Sequence, residues 1–153
     1  RALPFSLSGG RAQRGRPRRP IAVPLELTVL TLAVILAMVQ LILFAGPANR
    51  ELGSDYLAGP RDEGRTIRNP MTGRLQRAFN NHIEGLAFFT PAVLVVVAAG
   101  KASWFTGLLA VIYLLARILY VPAYAYGWTP WRSLIWTVGF FATLAMLLAA
   151  LLT

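Results

Sequence analysis

From Leu27 to Gly46 the chain carries no charged residue and one strongly polar side chain, Gln40. Twenty such residues in helical conformation are about 30 Å long, the thickness of the hydrocarbon layer of a bilayer. A basic segment precedes the stretch, as in a secretory leader. An apolar run of this length without a small-residue cleavage pattern instead reads as a first transmembrane helix. Three more stretches of the same kind follow, each bounded by turn residues. The expected spans are about 25–46, ended by Gly46-Pro47; 74–99, ended by Gly100-Lys101; 104–126, ended by Gly127; and 130–152, opened by Thr129 as N-cap and Pro130 as first helical residue. The fold class expected is all-α: an integral membrane four-helix bundle over 21–153. Residues 1–20, with six arginines and nothing to bury, form a disordered basic tail suited to an anionic lipid surface rather than to nucleic acid.

Composition narrows the chemistry. The chain has no cysteine and one histidine, so disulfides, thiolate ligands, a cysteine nucleophile and a multi-histidine metal site are all excluded within it. Charged residues make up 14% of the sequence against about a quarter in soluble domains, so each one inside a span needs an explanation. Four spans put both termini on one side and residues 47–73 on the other. Seven cations then fall on each side, and the positive-inside rule assigns no orientation.

The second span begins Arg74-Leu-Gln-Arg77-Ala-Phe-Asn80-Asn81-His82-Ile-Glu84. At 100° per residue, Arg74, Arg77, Asn81 and Glu84 share an arc of about 80°, a polar ladder descending from the loop side into the membrane. His82 lies about 140° from Arg77 and is expected to make a helix–helix or loop contact. Arg117, Tyr120 and Tyr124 share a stripe on the third span. Arg132 lies in the first turn of the fourth, where the helix dipole disfavours a cation unless an anion binds beside it. The start of span two, the end of span three and the start of span four lie on the same side, so these residues can converge. The plainer alternatives are a polar network joining helices for the ladder, an ion pair with Glu84 or its copy in another subunit for Arg117, lipid phosphate for Arg132, and an aromatic belt for the tyrosines and tryptophans. Glu26 is expected at the headgroup boundary.

Taken together, Arg74-x-x-Arg77-Ala-x-x-Asn81-x-x-Glu84 on a second helix and Ala116-Arg117-x-x-Tyr120-x-x-x-Tyr124 on a third, followed by Arg132, resemble the MAPEG family, the membrane-associated proteins of eicosanoid and glutathione metabolism. The resemblance implies a homotrimer of four-helix subunits in the membrane, of a bacterial branch and so in a bacterial inner membrane. Glutathione would be held between subunits as co-substrate, with no metal. It further implies that Arg74, Arg77, Asn81, Glu84, Tyr120 and Tyr124 contact glutathione and that Arg132 activates its thiol. The function implied is a transferase or peroxidase acting on lipophilic electrophiles. The alternative is a non-catalytic membrane protein whose polar cluster serves trimer assembly or binds an anionic lipid or peptide. The sequence departs from the family pattern in the first span, Met38-Val-Gln40-Leu-Ile-Leu-Phe44, which lacks a loop-side arginine, in Phe79, and in Gly85 after Glu84.

Overall fold

The computed structural model describes residues 22–152, so the basic tail expected over 1–20 lies outside the described residues. Five helices follow in order: α1 Leu25–Leu52, α2 Ser54–Ala58, α3 Pro70–Ala98, α4 Trp104–Ala125 and α5 Trp131–Leu152. All but the short α2 are long and apolar enough to cross a membrane, and the described residues contain no strand. The helices α3 and α4 pack against each other, while α1 and α5 each touch both of them and do not touch one another among the described residues.

The interior is built from small residues and a few rings. On α1 the inward positions are Val29, Ala33, Ala37 and Gln40, and the two alanines allow the close helix approach typical of membrane bundles. Phe89 of α3 stacks on Tyr113 of α4 with ring centres 3.8 Å apart, and Val93, Val96, Ala110 and Met146 close around them. Large apolar side chains such as Ile42, Phe88 and Leu119 face outward, as a lipid-facing surface requires.

Two helix boundaries differ from the sequence reading at the loop end. Gly46-Pro47 does not end the first helix; α1 runs on to Leu52 with Pro47 inside it. Proline removes one backbone donor and crowds the preceding turn, but Ala48, Arg50, Glu51 and Leu52 are good helix formers, and the helix survives until Gly53, whose φ of 89° favours glycine. The helix α3 starts a turn earlier than expected. The Asn69 side chain accepts from the N–H groups of Met71 (2.9 Å) and Thr72 (3.3 Å), with Pro70 at the first helical position. Glu51, at the end of α1, accepts from the backbone N–H groups of Arg68 and Asn69 and so ties that cap to α1.

The start of α5 differs by one residue. Thr129 does not act as N-cap: its hydroxyl donates to the Gly127 carbonyl at 3.3 Å. In its first turn the Arg132 N–H donates to the Trp128 carbonyl and those of Ser133 and Leu134 to the Pro130 carbonyl, and α5 begins at Trp131.

At the opposite end Glu26, expected at the headgroup boundary, is 2% exposed within the bundle, accepting from the Thr106 hydroxyl at 2.5 Å and the Ser103 N–H at 3.3 Å. Ser103 and Thr106 form the capping box of α4, so the carboxylate sits where the helix dipole is positive. Lys101 donates to the Ala150 carbonyl (2.7 Å) in the last turn of α5, the complementary charge at the complementary end.

Candidate functional site

At the loop end α3 and α4 meet in three successive levels, each carried by a residue of the polar ladder. Outermost, Arg74 donates to the carbonyl of Ala125, the last residue of α4, at 3.2 Å. Its guanidinium lies against Gly127, where a Cβ would come within 3.4 Å of Cζ. Next, Arg77 lies over the Tyr124 ring at 6.0 Å. Deepest, Asn81 accepts from Arg117 Nη1 at 2.9 Å. Antiparallel helices produce this pairing order, because descending α3 from Arg74 to Asn81 means moving back along α4 from Ala125 to Arg117.

The third wall is α5. Arg132 places its guanidinium 4.7 Å from the Tyr124 ring centre, so two arginines from different helices share one aromatic face system. Tyr124 meets Tyr120 edge-on with centres 5.4 Å apart. Tyr120 in turn lies 5.9 Å from the Arg117 guanidinium, which is 5.0 Å from Tyr113 on its other side. Arg132, Tyr124, Tyr120, Arg117 and Tyr113 thus form one continuous chain of cations and rings. Cation–ring contacts of this kind contribute roughly 0.5–2 kcal/mol each, more as water is excluded.

Charge balance is the distinctive property. Four guanidiniums, those of Arg74, Arg77, Arg117 and Arg132, gather at this end of the bundle. Among the described residues the ion pair present is Arg65–Glu63 in the loop, at 2.8 Å, and none of the four belongs to one. Glu84, the acid of the ladder, is exposed and pairs with no cation among the described residues. The expected Arg117–Glu84 ion pair is therefore absent within the chain. The guanidinium turns to Asn81 instead, because the Asn81 amide lies on the face of α3 toward α4. An arrangement with cations in excess and free donors can bind an anionic ligand through charge-assisted hydrogen bonds.

The structure thus brings Arg74, Arg77, Asn81, Tyr120, Tyr124 and Arg132 to one end of the bundle and places Glu84 at the rim of a cavity behind Arg117. His82 is separate. It is buried and pairs through Nδ1 with the Gln40 amide at 2.6 Å, joining α3 to α1. Tyr126, Trp128 and Trp131 are exposed around the same end, as an aromatic belt would be. Sequence reasoning missed Tyr113, and marked Gly85 only as a departure from the family pattern. Tyr113 lies four residues before Arg117 on the same helix face, a spacing that signals contact. Gly85 lacks the Cβ that would overlap the Arg117 guanidinium.

Comparison with known proteins gives one match: the model of the MAPEG family covers residues 29–152, from the first turns of α1 to the last residue of α5. No curated protein and no solved structure matches the chain.

Proposed function

The chain belongs to the MAPEG family, and from that premise we propose that it is a membrane-embedded, glutathione-dependent transferase or peroxidase for lipophilic electrophiles, assembled as a homotrimer. The observation that carries this reading is the pair Arg77 and Arg132, from α3 and α5, flanking Tyr124 with no acid paired to either.

The residues present fit glutathione by chemistry. Its two carboxylates call for guanidinium donors and its ammonium for an acid, and the cluster offers Arg74, Arg77 and Arg132 for the first and Glu84 for the second. Asn81 and the hydroxyls of Tyr120 and Tyr124 suit the peptide groups between. When bound, glutathione supplies the nucleophilic sulfur that this cysteine-free chain lacks. The role of the protein is to hold that sulfur ionised. A thiol with a pKa of about 8.5 is only a few per cent thiolate at neutral pH, and making it mostly thiolate takes roughly 2.7 kcal/mol of preferential stabilisation. In this reading Arg132, in the first turn of α5 at the positive end of the helix dipole and partly screened from water, supplies it.

A second reading also rests on a specific observation. Arg74 and Arg117 already bond within the chain, to Ala125 and Asn81, and so help lock α3 to α4. In that reading the cluster assembles helices or holds an anionic lipid and does no chemistry. The deciding experiment uses purified protein in detergent, titrated with glutathione by calorimetry, with thiolate absorbance and conjugation of an aryl halide followed in wild type and in Arg132→Ala. The proposal expects binding, a thiolate band at neutral pH, and loss of the band and of turnover in the variant. No binding at millimolar glutathione refutes it. A native mass of three chains is expected for the assembly.

A further inference from the structure

The helix α3 packs against α1, α4 and α5 and turns its remaining side out of the bundle. That side is not apolar throughout. Arg77, Asn80 and Glu84 are all exposed on it. Asn80 lies about 60° round the helix from Arg77 and about 40° from Glu84. By helix rise it is also about 9 Å deeper than Arg74, which is level with the end of α4. The Asn80 amide makes no hydrogen bond among the described residues. On the outward side of a membrane-spanning helix such an amide is costly, because lipid offers it neither donor nor acceptor.

We infer that further copies of this chain cover that side, with the symmetry axis of the assembly running past Asn80, whose amide bonds to its own copies and sets their register. Around a rotation axis each residue on the axis meets itself. Arg77 and Glu84 would each meet a like charge there and be repelled. A primary amide carries both donor and acceptor, so of the three Asn80 is the one that can pair with itself. The residues in line with it form a seam. Gly73, Asn80, Ala87 and Leu94 recur every seven residues, the repeat that keeps one edge of a helix against its partners in a supercoil. Glycine and alanine on either side of the amide let the backbones approach closely enough for so short a side chain to reach across. An asparagine in such a seam fixes register and the number of strands, because a slipped assembly leaves the amide unpaired. Setting Asn80 on the axis also carries Arg77 and Glu84 to one flank of it. The other flank, with Gln76 and Ile83 about 40–60° away, is uncharged, so each charge faces a neutral flank of the neighbouring copy. The inference rests on the assembly proposed above only for the number of copies.

The chain contains no cysteine, so one introduced thiol reports on one position. The full chain carrying Asn80→Cys or Ala87→Cys is purified in detergent, oxidised with copper phenanthroline and run on a non-reducing denaturing gel. A disulfide needs Cα atoms about 4.4–6.8 Å apart, so a thiol reaches its own copy only near the axis. Both variants are expected to give a linked dimer, and Leu119→Cys, exposed on α4 away from the seam, to give none. Ala87→Cys changes little in volume and carries the test should Asn80→Cys not assemble. In a trimer one thiol is left over, so at most two of every three chains become linked. Linkage of every chain would keep the axis at Asn80 and remove the trimer proposed above. No linked dimer in either variant, with a native mass of three chains, overturns the inference and leaves that trimer standing. Equal linkage of Leu119→Cys overturns it as well, since collision then explains the band. In Asn80→Leu several native masses are expected in place of one. Loss of glutathione binding in that variant, with the native mass unchanged, would give the amide to the ligand and overturn the inference.

Discussion

The bond between Arg117 and Asn81 makes an asymmetric prediction. Asn81→Leu removes the hydrogen-bond acceptor found for the guanidinium, a 2.9 Å bond to a side chain that is otherwise buried. Side-chain hydrogen bonds in membrane bundles contribute about 0.6–1.7 kcal/mol. The variant also leaves a cation whose insertion costs about 2.5–3.5 kcal/mol with only ring faces around it. With Tyr113 and Tyr120 offsetting roughly 1 kcal/mol each, a net destabilisation of about 1–3 kcal/mol is expected. Arg117→Met removes the cation together with its desolvation cost and leaves only the half-buried Asn81 oxygen without its donor, so about 1 kcal/mol or less is expected. The double variant should match Arg117→Met, because Asn81 then has no partner to lose. Stability is read from unfolding by sodium dodecyl sulfate in mixed micelles, followed by circular dichroism. Additive single effects, or an Asn81→Leu protein as stable as wild type, would refute the reasoning, for either result means that the buried cation does not depend on the amide.

Other variants test separate parts of the bundle. Glu26→Ala should cost about 1–2 kcal/mol, since it deletes a carboxylate that accepts from Ser103 and Thr106 at the positive end of α4; in Thr106→Val the same deletion should cost less, measured by the same unfolding assay. Gln40→Leu strips buried His82 of its partner and should destabilise by about 1–2 kcal/mol, whereas Gln40→Leu combined with His82→Phe should recover most of that loss. Asn69→Ala removes the cap of α3 and should lower stability by about 1 kcal/mol; proteolysis within residues 59–69 should accelerate with it.

Much of this architecture was legible from residue order, and the parts that were not have identifiable causes. The spans announce themselves because hydrocarbon selects against charge over a length the helix rise dictates. The ladder residues were visible because a period of 3.6 brings Arg74, Arg77, Asn81 and Glu84 to one arc, and the antiparallel topology then brings α4 and α5 to the same end. Partner choice was not visible. Nothing in one helix says whether Arg117 turns to Glu84 or to Asn81, since both lie on the same arc of α3 and the decision rests on packing. Gly46-Pro47 misled because its local preference to stop was outweighed by the helix formers after it, and the partners of Glu26 stayed hidden because only the fold sets the start of α4 beside it. Gln40, by contrast, stood out as the single strongly polar group in its span, and His82 accounts for it.

The continuation of α1 past Pro47 changes how the bundle presents itself to its surroundings. With 28 and 29 residues, α1 and α3 are about 42–44 Å long, whereas the 22 residues of α4 and of α5 reach about 33 Å. At the end held by Glu26 and Lys101 the neighbouring helices are tied level. The surplus of about 10 Å therefore rises at the other end, as a tall parapet of α1 and α3 beside a low sill of α4 and α5. Arg77, Tyr124 and Arg132 lie where the sill meets the parapet. For the function proposed above, such a step in height would let a charged, water-soluble peptide arrive from above and a lipid-dissolved molecule from the side, two molecules that share no common solvent.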